Sequence, residues 1–510
     1  MLSNVRERGR TTGALNRRVG LEQEFFLVEE SGMPADRADE FLLCCREMTE
    51  REGNSPACFA PEFVMGLVEI NTPPVYTLAE LEREYLNNLR LALRTARSLG
   101  IRLYPLGTYP LPLEPAMRDE LDYLVQDRTV GPERFVHAGR CAGMHLHLEL
   151  AEGTVDPSAG IAASAPEGAR AEALNLYNLA TALDPVLISL TRSCPFYEGQ
   201  MTGLAPRIVH YRGSADFGWD GVYTELPQVG ALRPYAEGAE QLVRQQFERY
   251  ETWLEAMDRA GVERRLFVEA GGDLLRPAWN PVRLNRQGTV ELRGMDSNYP
   301  EVILTVAALV LGAADRVRRE DLTVVPSGEV RTFETDGERL RVPGFRYLGG
   351  ELLHAAVTEG VKSPEVTAYV DSVLEFVGEE KRLVRLQQHR RSNGRYPTTE
   401  ADILENYASD NGHLSEVEGL RLVLEACDEL EAQVFASASG GRADGGGRLL
   451  CFPEGALLLH GWVNKGKKKG TRYEPRALPL SQNAQIQPKS TAAIDRALSR
   501  LAITWTATPT

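Results

Sequence analysis

Four segments of the chain alternate polar and apolar residues, as β-strands do when one face is buried. They are Val19–Glu30, Glu62–Asn71, Cys141–Leu150 and Thr289–Arg293. Successive side chains of a strand point to opposite faces of its sheet, so each segment collects its charged or imidazole groups on one side. The pattern predicts strands with one apolar and one polar face.

Between these strands, apolar residues recur at the spacing of amphipathic helices. The clearest helix runs from Leu78 to Leu99, with Thr77 as N-cap, Glu80 as its capping-box partner and Gly100 as its end. Further helices are predicted at Ala38–Thr49, Ala171–Leu190, Gly238–Asp258, Pro300–Arg319, Gly350–Leu386 and His413–Phe435. We therefore predict an α+β fold, in which a curved antiparallel sheet has a polar concave face and helices cover its convex apolar face.

Carboxylates dominate the polar side of the first two predicted strands. Glu22 and Glu24 lie two residues apart on the first strand, and Glu69 lies near the end of the second. Like charges this close repel unless a cation lies between them, and a divalent cation with oxygen ligands would serve. For an isolated pair of acids, the alternative is an edge strand with a solvated acidic face.

Glu62 raises a question of register. It lies seven residues before Glu69, and this odd spacing would put the two side chains on opposite faces of a regular strand. Both reach one site only if a bulge interrupts the strand, and Gly66 is the candidate position. Glu69 is therefore preferred over Glu62.

The third predicted strand carries two histidines on its polar face. His145, His147 and Glu149 alternate with apolar residues in the sequence CAGMHLHLEL. An H-x-H pattern is found in metal sites, and it is equally compatible with a polar strand face that binds nothing.

Arginines accompany the acids. Arg207 and Arg212 lie in the glycine-containing segment Ser193–Arg212, which we predict to be a loop, and Arg293 follows Glu291 by two residues on the fourth strand. A planar guanidinium group matches two oxygens of a phosphate or carboxylate. Solvated arginines and a structural acid–base pair are the alternatives.

Composition narrows the class of protein. The chain has 510 residues, of which 43% are hydrophobic and 25% charged. This is the composition of an ordinary soluble protein, with enough apolar residues for a large core. A net charge of −15 argues against general nucleic-acid binding, and seven scattered cysteines without C-x-x-C indicate neither a zinc site nor a disulfide framework. The longest apolar run, Val302–Ala314, is too short to span a bilayer, and the basic N-terminus lacks a secretory apolar segment, so we expect a cytoplasmic protein without a membrane partner.

Several polar-faced strands in one chain indicate a funnel of carboxylates, which can hold hard divalent cations shared with substrate phosphates. The residues alone therefore predict a metal-dependent enzyme acting on a nucleotide or another phosphorylated substrate.

Five motifs occur in an order that resembles glutamate–cysteine ligase family 2, the carboxylate–amine ligases. They are G-x-E-x-E-F at Gly20–Phe25, V-E-I-N-T at Val68–Thr72, G-M-H-x-H at Gly143–His147, P-F-x-x-G-x-x-T-G-x-x-x-R at Pro195–Arg207 and T-V-E-L-R-x-x-D at Thr289–Asp296. The resemblance implies a glutamine synthetase-like catalytic domain with a metal-lined concave face. It also implies ATP-dependent joining of a glutamate side-chain carboxylate, or a similar carboxylate, to an amine such as cysteine through an acyl phosphate.

The resemblance further implies roles for individual residues. The implied metal ligands, for Mg²⁺ or Mn²⁺, are Glu22, Glu24, Glu69, His145 and Glu291. Arg207 and Arg293 are the implied catalytic clamps for the γ-phosphate or the substrate carboxylate, and Glu62 and His147 the implied substrate or nucleotide contacts. Cys194 stands where the family favours Ser and receives no role.

Three regions are predicted: a disordered arm over residues 1–18, a ligase catalytic domain over 19–390, and a helical and loop-rich extension over 391–510. The segment Gly461–Lys468 fits G-x4-G-K, but Lys468 stands where a phosphate-binding loop has Ser or Thr. A guanidino-type phosphotransferase, a metallohydrolase and a non-catalytic nucleotide-binding protein remain alternatives, and a homo-oligomer is left open.

Overall fold

A seven-stranded sheet organises the part of the chain that the computed structural model describes, residues 17–52 and 58–436. The strands are β1 (Val19–Glu29), β2 (Phe59–Pro61), β3 (Leu67–Asn71), β4 (Ile101–Tyr104), β5 (Gly143–Glu149), β6 (Val155–Asp156), β7 (Gly160–Ile161), β8 (Phe196–Tyr197), β9 (Gln200–Met201), β10 (Val282–Asn285), β11 (Thr289–Asp296), β12 (Thr323–Ser327), β13 (Glu334–Asp336) and β14 (Arg339–Pro343). The sheet order is β10-β11-β5-β1-β3-β2, with β4 also paired to β1, and all of these pairs are antiparallel. The antiparallel part of the prediction is confirmed.

Helices surround this sheet. They are α1 (Ala38–Glu52), α2 (Leu78–Leu99), α3 (Leu121–Val130), α4 (Pro132–Phe135), α5 (Glu167–Thr191), α6 (Pro227–Gly230), α7 (Ala239–Arg259), α8 (Arg264–Glu269), α9 (Pro300–Arg319), α10 (Leu353–Thr358), α11 (Pro364–Val377), α12 (Lys381–Asn393), α13 (Thr399–Tyr407) and α14 (Glu416–Ala436). The mixture of helices with an antiparallel sheet is the predicted α+β class.

One face of the sheet is apolar and packs against α2, α5 and α9. Leu21, Phe25 and Leu27 of β1 are buried there, beside Leu146 of β5 and Leu292 of β11. Because strand side chains alternate, the same strands turn their polar residues to the other face. The alternation in sequence therefore assigns the two faces correctly.

Helix α5 is long and apolar enough to cross a membrane, and 89% of its most apolar window is buried inside the protein. It packs against β11, α9 and α10, so its hydropathy is accounted for by its position in the core.

The termini of α2 follow the predicted signals. Thr77 Oγ1 accepts a hydrogen bond from the Glu80 backbone N–H at 3.0 Å, and Gly100 takes a left-handed conformation with φ 68°. The reciprocal bond differs from a standard capping box, because the Glu80 carboxylate accepts from the backbone N–H of Tyr76.

The prediction of the second strand, Glu62–Asn71, is wrong in its first half. Strand β3 begins at Leu67, and Glu62 lies in the connection between β2 and β3 instead of on a strand. The loop at 62–66 therefore replaces the expected bulge and frees Glu62 from the alternation of the strand.

The segment Ser193–Arg212 is more ordered than the predicted loop. It contains the β8–β9 hairpin and a π-helical turn at Arg207–Arg212. The Arg207 backbone N–H donates to Asp296 Oδ1 at 3.3 Å, a tertiary contact that local sequence does not reveal.

Helices beyond residue 390 join the same cores. Leu430 and Val434 of α14 pack in the main core, and Arg102 of β4 pairs with Asp428 at 2.6 Å and with Glu431 at 3.0 Å. The predicted domain boundary at 390 stays a prediction. The N-terminal arm up to residue 16, the segment Gly461–Lys468 and the rest of the extension past 436 lie outside the described residues.

Candidate active site

Strand register brings the predicted site residues side by side on the polar face of the sheet. The facing pairs are Glu24 with Glu69, Glu22 with His145, and His147 with Glu291. These residues come from four strands, β3, β1, β5 and β11, which are neighbours in the sheet. The fold thus brings residues that are far apart in the sequence into one continuous polar surface.

Three overlapping groups on this face have the donor sets of metal sites. They are Glu22–Glu69–His145, Glu22–His147–Glu291 and Glu24–Glu62–Glu69. In each group, one ligand atom per residue lies within 4.8 Å of the others. Carboxylate oxygens with an occasional imidazole suit Mg²⁺ and Mn²⁺.

The carboxylates of Glu62 and Glu69 face other carboxylates. Burial and the nearby charge of Glu24 raise the pKa of Glu62 to about 8. Burial together with Glu22 and Glu62 raises the pKa of Glu69 well above its usual range, although Asn71 Nδ2 donates to Glu69 at 2.9 Å. Arg207 and Arg293 lower the pKa of Glu62, but burial and Glu24 raise it by more.

Glu22 is held ionised by histidines. Burial alone would raise its pKa, but the hydrogen bond from His145 and the contact with His147 outweigh burial and hold the pKa of Glu22 well below its usual range. His145 Nδ1 lies 3.0 Å from Glu22 Oε2, and His147 Nε2 lies 3.2 Å from Glu22 Oε1.

The tautomer of His145 follows from its partners. Its Nε2 lies 2.9 Å from Arg207 Nη2, which can only donate, so Nε2 accepts and Nδ1 carries the proton given to Glu22. Burial and the charge of Arg293 lower the pKa of His145 to about 4. His145 is therefore neutral at physiological pH, and binding of a metal by either ring nitrogen would have to replace its contact with Glu22 or with Arg207.

His147 is oriented by Thr289, whose hydroxyl lies 3.0 Å from Nδ1. Its buried Nε2 has no aligned hydrogen-bond partner, although Glu22 lies close to it. Burial would lower the pKa of His147, but the charges of Glu291 and Glu22 outweigh burial and raise it.

Arg207 anchors Glu24. Its Nη1 donates to Glu24 Oε2 at 2.9 Å, and the backbone N–H of Gly143 donates to the same oxygen at 2.6 Å. Burial disfavours the charged form of Glu24, but the guanidinium of Arg207 outweighs burial and lowers the pKa of Glu24. A Cβ on Gly143 would overlap that guanidinium, so glycine is required by this close approach.

Glu291 is fully buried between two guanidinium groups. Arg283 Nε donates to it at 2.6 Å and Arg293 Nη1 at 2.8 Å, and Asn285 donates to the same carboxylate. Burial would raise the pKa of Glu291, but the charges of Arg283 and Arg293 lower it well below its usual range. As a metal ligand, Glu291 would share its oxygens with these arginines.

A cavity of about 210 Å³ opens onto this polar face. Every predicted site residue except His147 and Glu291 lines it, and the rest of its lining is Phe63, Asp122, Tyr123, Gln126, Phe135, Ala138, Cys141, Tyr211, Arg276, Trp279 and Arg283. The covering residues from α3, α4 and the region 207–279 pack in a separate cluster, which includes Trp253 and Trp279.

Sequence reasoning missed Arg283 and Asn285. Both lie on β10, where they alternate with Val282 and Leu284, and Arg283 pairs in register with Glu291. The alternation V-R-L-N was the available signal, because it predicts a fifth strand with a polar face.

Two other residues that the sequence drew attention to lie outside this cluster. Glu149 shares the polar face of β5 but pairs with Arg18, away from the cavity. Arg212 is buried and donates to the backbone carbonyls of Trp279 at 3.1 Å and Arg293 at 2.7 Å. Arg212 therefore supports the strand that carries Arg293.

Known proteins resemble this chain in sequence. The family model of glutamate–cysteine ligase family 2 (GCS2) matches residues 18–416. A putative glutamate–cysteine ligase 2 from Ectopseudomonas mendocina is 26% identical over 284 residues, which cover 54% of this chain and 61% of that protein. A glutamate–cysteine ligase from Halobacterium salinarum is 27% identical over 300 residues, which cover 56% of this chain and 66% of that protein.

The match to a third relative is shorter. A putative glutamate–cysteine ligase 2 from Salinispora tropica is 27% identical over 188 residues, 37% of this chain and 43% of that protein. The chain thus spans about 43% to 66% of the length of these relatives.

The fold is also found among solved structures. The crystal structure of a glutamate–cysteine ligase from Francisella tularensis in complex with AMP superposes with a TM-score of 0.51 at 12% identity, over 83% of this chain and 89% of that chain. At this identity the likeness concerns the fold alone.

Proposed function

This chain belongs to glutamate–cysteine ligase family 2, and we propose that it is an ATP-dependent carbon–nitrogen ligase. It joins a carboxylate, glutamate or a close analogue, to an amine such as cysteine, and the product is a γ-glutamyl amide. The observation that carries this proposal is the cluster of buried and half-buried glutamates with two buried histidines on one sheet face, flanked by arginines in a cavity.

The donor set fits Mg²⁺ or Mn²⁺, which we propose to be held by Glu22, Glu24, Glu69, His145 and Glu291. The raised pKa values of Glu62 and Glu69 support this assignment, because burial and neighbouring carboxylates disfavour both ionised groups and a divalent cation between them would relieve this repulsion. Bound divalent ions would neutralise the phosphate oxygens of ATP during transfer of the γ-phosphoryl group.

Arg293 is proposed to bind a γ-phosphate or substrate carboxylate oxygen. Its Nη1 holds Glu291, while its Nε is buried without a hydrogen-bond partner, and the residue lines the cavity. An unused donor on a guanidinium that is already fixed can bind an oxyanion without reorganisation.

Arg207 is proposed to act chiefly by fixing Glu24 and His145. Four of its five N–H groups are used: Nε by the Arg293 carbonyl, one on Nη1 and one on Nη2 by Glu24, and the second on Nη2 by His145. The remaining hydrogen on Nη1 is available for a substrate oxygen.

The proposed reaction proceeds in two steps. The substrate carboxylate attacks the γ-phosphorus of ATP, which releases ADP and forms an acyl phosphate. The amine then attacks the acyl carbon, which releases inorganic phosphate and forms the amide. Positioning and electrostatics supply the catalysis, so no Ser or Cys nucleophile is required. We also propose that the polar face of the sheet is concave and lined with metal ligands. The proposed location of the protein is the cytoplasm.

The acyl phosphate is tested by isotope transfer. Glutamate labelled with heavy oxygen in its side-chain carboxylate is incubated with ATP, Mg²⁺ and a panel of amines that includes cysteine. We expect one labelled oxygen in the inorganic phosphate and a γ-glutamyl amide in the mass spectrum. Unlabelled phosphate beside the amide would contradict the intermediate.

A further inference from the structure

A second cavity, of about 580 Å³, lies away from the carboxylate cluster. It is formed by α5, the turn after Arg212, and the segment from Phe345 to His354. Its walls are largely apolar: Ile208, Leu232, Pro281, Phe345 and Leu353. Its lining includes none of the glutamates or histidines of the first cavity.

Asp184 of α5 reaches this cavity as a buried acid. Its side chain is 1% exposed, and its Oδ2 has no hydrogen-bond partner. A Cβ on Gly294 would overlap Asp184 Oδ1, so the carboxyl group occupies space that the glycine leaves open. Burial raises the pKa of Asp184 to about 7.

Arg212 contributes a buried guanidinium group to the same cavity. Two of its nitrogens are fixed on the carbonyls of Trp279 and Arg293, and its third nitrogen, Nη1, has no hydrogen-bond partner. The side chain is 2% exposed. Its guanidinium group is thus held in place, and one of its three nitrogens has no hydrogen-bond partner.

The acid and the guanidinium do not satisfy each other. Both line the cavity, yet neither Asp184 Oδ2 nor Arg212 Nη1 has a hydrogen-bond partner. Buried polar groups that lack partners cost stability, and a ligand with complementary groups recovers that cost.

We propose that this cavity binds a small zwitterion, whose ammonium group contacts Asp184, whose carboxylate contacts Nη1 of Arg212, and whose apolar part packs between Leu232 and Phe345. Aliphatic α-amino acids have this chemistry. The site is separate from the proposed ligase site, although Arg212 connects the two through its hydrogen bond to the Arg293 carbonyl.

The test is isothermal titration calorimetry of the full chain without ATP or metal. The probes are alanine, valine, leucine, methionine and phenylalanine, each with its amine analogue and its carboxylic acid analogue. We expect at least one amino acid to bind at least about tenfold more tightly than both of its analogues, because each analogue leaves one buried group unpaired.

Variants locate the binding. Asp184→Asn preserves size and removes the charge, so it should fold and lower the affinity at least about tenfold. Leu353→Phe keeps both charged groups and narrows the cavity, so it should weaken the largest probe most. Glu22→Gln, in the first cavity, and Asp336→Asn, on the exposed strand β13, should bind as the wild type does.

Three results would overturn the proposal. The first is no binding of any of these amino acids at millimolar concentration. The second is unchanged affinity in Asp184→Asn, and the third is an analogue that binds as tightly as its amino acid. Water filling the cavity would produce the first result, and amino acids bound in the ligase cavity would produce the second.

Discussion

At the scale of single residues, the five glutamates of the site divide by the direction in which their pKa values are shifted. Glu22, Glu24 and Glu291 contact histidine or arginine, and their pKa values are lowered. Glu62 and Glu69 face other carboxylates, and their pKa values are raised. A divalent cation would remove this difference, so metal binding should release protons.

Glu22, like Glu69, belongs to two of the three potential metal groups, so its removal should disrupt both of the groups that contain it. Glu22→Gln keeps a hydrogen-bond acceptor for His145 and removes one ligand charge. We expect ATP-dependent turnover to fall at least about hundredfold and Mn²⁺ affinity, measured by calorimetry, to fall with it. Near-normal turnover would remove Glu22 from the metal site, and the exposed Glu338→Gln is the matched control.

The raised pKa of Glu62 predicts a pH dependence of stability without metal. The folded chain keeps this proton up to about pH 8, whereas the unfolded chain loses it near the ordinary value of 4.5. Between these values the folded state binds one more proton, so the free energy of unfolding falls as pH rises, by up to about 1.4 kcal/mol per unit. Glu62→Gln lacks this ionisation, and its stability relative to the wild type should rise across that window.

Denaturant titrations at several pH values measure that difference. Glu338→Gln should run parallel to the wild type at every pH. Saturating Mg²⁺ should shrink the advantage of Glu62→Gln, because the ion stabilises the ionised carboxylate of the wild type. An advantage that does not change with pH would contradict the raised pKa.

At the scale of elements, regular periodicity predicted several helices correctly, but the single helix predicted over Gly350–Leu386 is wrong, because the chain there forms α10, α11 and the start of α12. Helix α9 runs over the predicted Pro300–Arg319, and α2 ends at the predicted Gly100. The errors fall where tertiary contacts override local pattern. Glu62 leaves the second strand for a loop, and Arg207 lies on a π-helical turn tied to Asp296.

The polar faces were predictable from alternation, but their partners were not. Glu22 and His145 were selected from sequence, whereas Arg283 was missed, because its role depends on the register between β10 and β11. Strand register and burial also decide which acids have a raised pKa, and neither can be predicted from a single sequence.

Gly143, the first residue of β5, has no room for a side chain, because the guanidinium of Arg207 lies against it. Gly143→Ala should displace the guanidinium from Glu24 and reduce kcat/KM about hundredfold, since small misplacements in an active site are costly. Gly20→Ala on the same sheet face is the control, because the added Cβ would lie 3.8 Å from His147 Cβ. Equal activity of the two variants would show that the Arg207 position is unimportant.

Helix α14 is expected to contribute to the stability of the main body. Leu430 is fully buried in the core, so Leu430→Ala should lower the free energy of unfolding by about 2–5 kcal/mol. Val417 on the same helix is 78% exposed, and Val417→Ala should change it by less than about 0.5 kcal/mol. Equal effects in urea titrations would mean that α14 is not part of the cooperative fold.

At the scale of the whole molecule, one sheet separates two environments. Its apolar face packs on helices, and its polar face collects the carboxylates and arginines beneath a cavity. The second cavity meets this arrangement at β11, where Arg212 donates to the carbonyl of Arg293 and Asp184 lies against Gly294. The fold therefore accounts for a proposed ligase site and a separate proposed zwitterion site.

The most direct test of the central claim is ADP release by the wild-type chain when Mg²⁺, glutamate and each amine of a panel are omitted in turn. We predict that ADP forms only when the metal, the carboxylate and one particular amine are all present. ADP formed with glutamate but without any amine would indicate a phosphotransferase. No ADP with any pair of substrates would contradict the ligase proposal.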